Sequence, residues 1–422
     1  MREQQDEDAS PADGDRLSPG STAVLPHRDF LRLAAVLGCL ALAAAFVAAA
    51  LFAPAQVPPA LANRDFANYW TAARLALSGN AMDLFSTHAD YFRHMQAAFG
   101  MDYPWHAWSY PPHYLLFVWP LGLLAYLPAM IAFLGVTFLL YLAALRSFTG
   151  RLDADILLAV LPFALFNIWA AQNGFLTAAL FLGALALRYE RPVLAGVLAG
   201  CLTIKPQLGV LIPILYLIEG RWLSMVSAAL TTLLLVAVSA ACFGVEGWIG
   251  YVQNTFASQS AVMAYATGIF LDMMPAPFGV MRNLGAEPTL AFAVHAAVAL
   301  PVLAVTVYGF AVVRDPVLRG AVLCVATIAV TPYSLAYDLG GFAASVALGM
   351  TRSPASPFSG RRLILLAGAY LPLLIVPAGI FGVPLAPLIV VGVLAVLLSD
   401  GAIQVKREAG TVIARSPAAS SG

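Results

Sequence analysis

Residues 222–243 read WLSMVSAALTTLLLVAVSAACF. None of these twenty-two residues is charged, and a helix needs only ~20 apolar residues to cross the hydrocarbon of a bilayer. A domain in water would have to hide the whole run. The stretch therefore predicts a membrane-spanning helix, and the rest of the chain is read outward from it.

It has company. The chain has 422 residues, 61% hydrophobic and 10% charged, with mean hydropathy +0.84. Lipid must be the solvent for most of that surface. Further apolar runs fall at roughly 31–53, 128–146, 155–170, 173–188, 193–205, 206–219, 289–312, 320–335, 339–351, 363–379 and 383–399. The expected fold is an all-α integral membrane bundle of about 11–13 transmembrane helices. The segment 111–125, PPHYLLFVWPLGLLA, is short for a span and reads as a re-entrant or interfacial helix, or else as a tilted span.

Net charge is zero, which argues against nucleic acid as a partner. Cys39, Cys201, Cys242 and Cys324 sit in or beside apolar runs and read as packing residues, outside any disulfide framework. Residues 1–29 hold seven acids among Pro, Ser and Gly, a disordered tail. They lack the early apolar core of a cleavable signal peptide, so the first helix is expected to be retained. The main domain then covers 30–403, and 404–422 forms a polar tail, loose from Lys406 onward.

Lys and Arg set the orientation. With the N-terminus in the cytoplasm, Arg146/Arg151, Arg188/Arg191, Arg221, Arg314/Arg319, Arg352/Arg361/Arg362 and Lys406/Arg407 all fall inside. Two long loops, 54–127 and 244–288, then face out. A span at 111–125 would break this register at Arg146, which favours the re-entrant reading. The expected location is a bacterial inner (plasma) membrane.

Chemistry gathers on the outer side. In ANRDFANYWTAARLALSG (62–79), Phe66, Tyr69, Trp70, Ala73 and Leu77 share one helical face lying in the interface. Asp65 and Asn68 lie on a neighbouring stripe. An aromatic belt with a helix-start acid explains Tyr69 and Trp70 well. It explains Asp65 less well, because an acid beside Arg64 at the membrane rim suits a general base. Lys205, in LTIKPQLGV, is one of only two lysines and stands between two apolar runs. A charge at the bilayer centre costs ~2.5–3.5 kcal/mol on insertion scales. Pro206 breaks the helix after it. Lys205 reads either as a snorkelling lysine or as a fixed cation for a phosphate, the second being preferred.

Gln172 and Asn173 open one helix, where capping is the plain explanation. Tyr337 and Asp338, in TPYSLAYDLGG, lie between two others. Each alone reads as structural; their convergence with Asp65 and Lys205 on one side is what points to a site. WSYPPHYLL (108–116) adds Tyr110 and His113 as hydrogen-bonding groups. His88, His94, His106 and His113 show no metal-ligand spacing and read as solvated loop histidines. There is no nucleotide-binding motif, serine triad or glycine-rich phosphate loop.

Five motifs in order, RDFANYW…AARLALSG, WSYPP, AQNGFLTAALFLGAL, AGVLAGCLTIKPQLGVLIP and TPYSLAYDL, resemble glycosyltransferase family 87 over roughly 30–400. That resemblance implies a GT-C-type membrane fold similar to polyprenol-phosphate-mannose-dependent mannosyltransferases. It implies inverting transfer of a sugar, mannose by expectation, from a polyprenyl-phosphate donor in the membrane to a glycolipid or glycan hydroxyl outside. The family's acid in the first external loop matches Asp65. Lys205 and Arg64 would face the donor phosphate, and Asn68, Tyr69, Tyr110, His113, Gln172, Asn173, Gln207, Tyr337 and Asp338 would contact substrate. Some GT-C enzymes use a D-x-D pair with a metal; here the acid is followed by Phe66 and Ala67, so neither metal nor cofactor is expected. The alternatives are a polytopic transporter or lipid flippase, which would show internal symmetry, and a scaffold subunit without activity.

Overall fold

The computed structural model describes residues 65–352 and 359–415. The acidic tail 1–29, the first apolar run at 31–53 and Arg64 lie outside the described residues. Among the described residues there are helices and no strand. The first loop carries α1 (Phe66–Leu77) and α2 (His88–Phe99). The bundle follows as α3 (Tyr126–Thr149), α4 (Ala154–Ala170), α5 (Gly174–Ala186), α6 (Pro192–Cys201), α7 (Ile212–Ile218) and α8 (Trp222–Phe243). After the second loop come α9 (Pro288–Val312), α10 (Pro316–Val330), α11 (Gly340–Arg352), α12 (Gly360–Ile380) and α13 (Leu385–Arg415).

Five of these, Tyr126–Thr149, Trp222–Phe243, Pro288–Val312, Gly360–Ile380 and Leu385–Ala402, are long and apolar enough to cross a membrane. They ring the bundle. On α8, Leu230, Leu233 and Leu234 are all more than 60% exposed, a surface that only lipid covers at no cost. The centre is made by α5, α10 and α11, apolar on every side and almost wholly buried. The chain is an all-α membrane protein. Where α6 crosses α8, Gly196 and Gly200 touch it directly. A Cβ on Gly196 would lie 2.3 Å from the Ser224 carbonyl oxygen, and one on Gly200 2.6 Å from the Thr231 Cβ. Two small residues four apart let the backbones meet.

Several boundaries differ from the sequence reading for local reasons. α10 starts at Pro316, ahead of the expected 320, because the Asp315 carboxylate accepts from the Val317 and Leu318 amides. It stops at Val330, short of 335, because Thr331 precedes a proline. α13 runs to Arg415, so residues 404–415 are helical where a loose tail was expected. They contain no proline, and the helix ends next to Ser416-Pro417. The 111–125 segment forms three short pieces, Pro112–Tyr114, Leu115–Val118 and Trp119–Leu123, packed under α1. They are too short to span.

Polar contacts mark the two ends of the bundle. At one end Glu219 accepts from Arg188 and Arg319, and Arg352 pairs with Asp315. At the other, Asp65 meets Gln172 and Lys205 meets Asp338. The segments Gly174–Ala186, Pro192–Ile204 and Pro206–Ile218 have 13 residues or fewer. At 1.5 Å per residue they reach ~20 Å, roughly 10 Å short of a ~30 Å hydrocarbon core. Their ends therefore form a recessed floor, on which Gln172 and Lys205 stand.

Candidate active site

A tight turn builds that floor between α4 and α5. Ala171 closes α4 in the left-handed conformation at φ 50°, a strained position for a residue with a side chain. Two contacts hold it. The Gly174 amide donates to Asn167 Oδ1 at 3.1 Å. A Cβ on Gly174 would sit 2.0 Å from the Tyr337 carbonyl oxygen, so only glycine lets the turn before α11 press this close.

The turn presents Gln172. Its Oε1 accepts from the Asn173 amide at 2.9 Å and from the Tyr69 hydroxyl. Those donors fix the amide orientation, so Nε2 faces out and donates to Asp65 Oδ2 at 2.7 Å. Tyr69, fully buried, shares a second bond with the Tyr110 hydroxyl at 2.8 Å. Asp65 thus stands at the start of α1 with one oxygen held and its side chain 34% exposed. Its Oδ1 lies 3.6 Å from His106 Nε2.

Lys205 and Asp338 form the second pole. Lys205 Nζ donates to Asp338 Oδ1 at 2.6 Å, with both side chains under 10% exposed. Asp338 Oδ2 accepts from the Leu335 amide at 3.1 Å. The ammonium also lies 4.7 Å from the centre of the Tyr337 ring, a cation–π contact. An ammonium has three N–H groups, so the carboxylate leaves donor capacity over.

Both poles line one cavity of about 760 Å³. Asn68, Tyr69, Tyr110, Gln172, Gln207 and Tyr337 join Asp65, Lys205 and Asp338 in its wall. Apolar side chains also line it, with Val262, Met263, Ile269, Phe270 and Met273 from the second loop and Phe292 from α9. The second loop is tied over the first: Gln259 Nε2 donates to Ser109 Oγ at 2.6 Å, and Asn254 Nδ2 to the Phe85 and Ser86 carbonyls. The result is a chamber with a mixed lining, charged and polar groups together with apolar ones.

A family model described as glycosyltransferase family 87 matches residues 108–332, more than half of the chain. The chain belongs to glycosyltransferase family 87. No curated protein and no solved structure matches it. As a family 87 member it is a membrane glycosyltransferase with a donor and an acceptor, and the chamber is its candidate active site.

Several expected site residues stand elsewhere. His113 is away from the chamber, stacked on Trp248 at 5.6 Å with its Nε2 3.2 Å from Thr203 Oγ1. Pro111 and Pro112 turn the chain so that Tyr110 faces the site and His113 the α8 side. Asn173 is fully buried beneath the floor, its Nδ2 3.3 Å from the Tyr114 hydroxyl, and its side chain does not cap α5. Trp70 is structural, donating to the Leu124 carbonyl at 2.9 Å. Leu77, expected on the apolar face of α1, is 44% exposed. Asn68 lines the chamber, but its amide donates to Ala107 O and accepts from Tyr91.

Other residues also line the wall. Tyr251 lies in a π-helical turn, Tyr251–Thr255, and Gln259 follows it in the second loop, while Ser109 and Tyr333 stand within the WSYPP and TPYSLAYDL motifs. His106 had been grouped with solvated histidines; instead its side chain is only 17% exposed and faces the acid. Among the described residues, no three His, Cys, Asp or Glu side chains gather as a metal would need.

Proposed function

We propose that this family 87 enzyme transfers a sugar, mannose, from a polyprenyl-phosphate donor to a hydroxyl of a glycolipid or glycan on the extracytoplasmic face, inverting the anomeric carbon. The observation that carries this is the shared chamber: a carboxylate and an ammonium line one cavity together with a set of apolar side chains. A lipid-borne sugar phosphate has both characters. Its volume suits a bound small molecule.

Asp65 acts as general base, taking the acceptor proton as the oxygen attacks the oxocarbenium-like anomeric carbon. The phosphate leaves with the bonding pair and needs no general acid. Its growing charge is met by Lys205, pre-positioned by Asp338 and poorly hydrated at this depth. Arg64, next to the base in sequence, adds a second cation. The apolar side chains from the second loop and α9 take the first isoprene units. Arg146, Arg188, Arg221, Arg319 and Arg352, at bundle helix ends away from Asp65, outnumber Arg74, Arg93 and Arg282 in the two long loops and support an outward-facing chamber in a bacterial plasma membrane.

The test is direct. Membranes containing the full chain receive radiolabelled polyprenyl-phosphate mannose, and label is sought on a second lipid or glycan. Asp65→Asn is expected to fold and to lose transfer by a factor of about 100 or more. Near-normal transfer by that variant removes Asp65 as base. Label moving across the bilayer without changing carrier would instead indicate a flippase.

A further inference from the structure

His106 sits between two acceptors. Its Nδ1 is 2.9 Å from the Pro104 carbonyl oxygen and its Nε2 3.6 Å from Asp65 Oδ1. A neutral imidazole has one N–H. If that hydrogen is on Nδ1, a lone pair on Nε2 faces the carboxylate; if on Nε2, a lone pair faces the carbonyl. Only the imidazolium satisfies both, and only the Nδ1–H tautomer leaves Nε2 able to accept a proton from the acid.

The surroundings fit a group that titrates in the working range. Tyr103 packs on the ring at 5.3 Å, and Asp65 is the charged group facing it. Lys205 and Asp338, in the same chamber, offset each other. Burial lowers the imidazole's pKa, but the adjacent Asp65 carboxylate and the Pro104 carbonyl together hold it above the usual 6.5. The side chain is 17% exposed, so water reaches the ring.

We propose that His106 is the proton relay of Asp65, emptying the base after each transfer and shutting it down when protonated beforehand. This rests on the reading of Asp65 as base. The acceptor O–H bond breaks and its proton goes to Asp65, while the new C–O bond forms and the sugar–phosphate bond pair leaves on the phosphate. The proton then passes from Asp65 to Nε2 of neutral His106, whose Nδ1–H stays on Pro104. The imidazolium releases a proton to water, and the pair is reset.

The experiment measures label transfer from radiolabelled polyprenyl-phosphate mannose to the acceptors in membranes holding the full chain, between about pH 5.5 and 8.5. Wild-type kcat should rise with pH through one ionisation. His106→Gln should lower kcat about tenfold, leave the donor KM unchanged and abolish that ionisation, and added imidazole should restore His106→Gly. His106→Gln with the wild-type rate and pH profile overturns the relay, while an inactive Asp65→Asn alongside it leaves the base standing. An active Asp65→Asn removes the base itself. Should the His106 variants fold poorly, histidine-labelled NMR of the purified wild type and Asp65→Asn decides: the His106 pKa must fall when the acid is removed, and an unchanged value overturns the pairing.

Discussion

Lys205 and Asp338, 133 residues apart, meet as a buried ion pair with Nζ 2.6 Å from Oδ1. Removing one partner of such a pair leaves an uncompensated charge and costs about 3–5 kcal/mol. Asp338→Leu and Lys205→Met are each expected to lower the unfolding temperature sharply. The double variant should recover most of that loss but bind donor weakly, because the ammonium is gone. Thermal unfolding in detergent and the donor KM check both halves. Normal donor affinity in the folded double variant would remove Lys205 as a phosphate contact.

Gln172 is aimed by its neighbours, and its own role is to hold Asp65. Gln172→Leu deletes the 2.7 Å bond and should reduce kcat about tenfold with little change in donor KM. Gln172→Glu puts a second carboxylate against the first, so one must keep a proton at neutral pH. Its kcat should fall further, by about 100-fold. Equal, mild effects of both changes would mean that Gln172 only packs.

Gly174→Ala tests the turn that builds the floor. The new methyl would overlap the Tyr337 carbonyl oxygen, a backbone atom, and the Asn167 amide oxygen, which the Gly174 amide holds in place. Overpacking of this kind costs about 1–3 kcal/mol. Relief requires the floor turn and the Tyr337–Asp338 turn to part, so donor KM should rise together with the loss of stability. An Ala variant with wild-type unfolding and KM would show that the two turns separate freely.

The His106 contact makes stability depend on pH in a definite direction. Its folded-state pKa is raised, so the imidazolium contributes fully below the ordinary value of about 6.5. The contribution is lost as pH rises through the higher folded value. Protection of residues 104–110 from hydrogen exchange should therefore decline over that window in wild type. In His106→Gln the decline should vanish; an unchanged decline assigns it to another group.

The bundle was legible because lipid imposes a length and a hydropathy on each span. Run 222–243 matches α8 end to end, and 128–146 lies within α3. Edges moved where a local device intervened, as the Asp315 cap and Pro332 did for α10. In the site, Asp65, Lys205, Gln172 and Asp338 could be suspected singly because a polar group in an apolar run is costly. Their pairing could not. Whether Lys205 meets Asp338 or solvent depends on how α6 and α11 pack. His106 was misread because its loop has no periodicity, and its partner lies 41 residues earlier in the chain.

The Arg188–Glu219 contact tests whether the two ends of the bundle act separately. Glu219 is fully buried and accepts from Arg188 Nε at 2.6 Å and Nη2 at 2.9 Å, with Arg319 at 3.4 Å. The cluster ties the end of α5 to the end of α7 and the start of α10. Glu219→Ala strands two guanidinium groups, one of them almost wholly buried, and should cost about 3–5 kcal/mol. Arg188 keeps the Leu185 and Pro316 carbonyls, so the variant should still fold at low temperature. Because the chamber lies at the opposite ends of these helices, kcat and donor KM per folded molecule should match wild type. A change in donor KM without loss of unfolding temperature would mean that this end governs the chamber, and the division into a structural and a chemical end would fail.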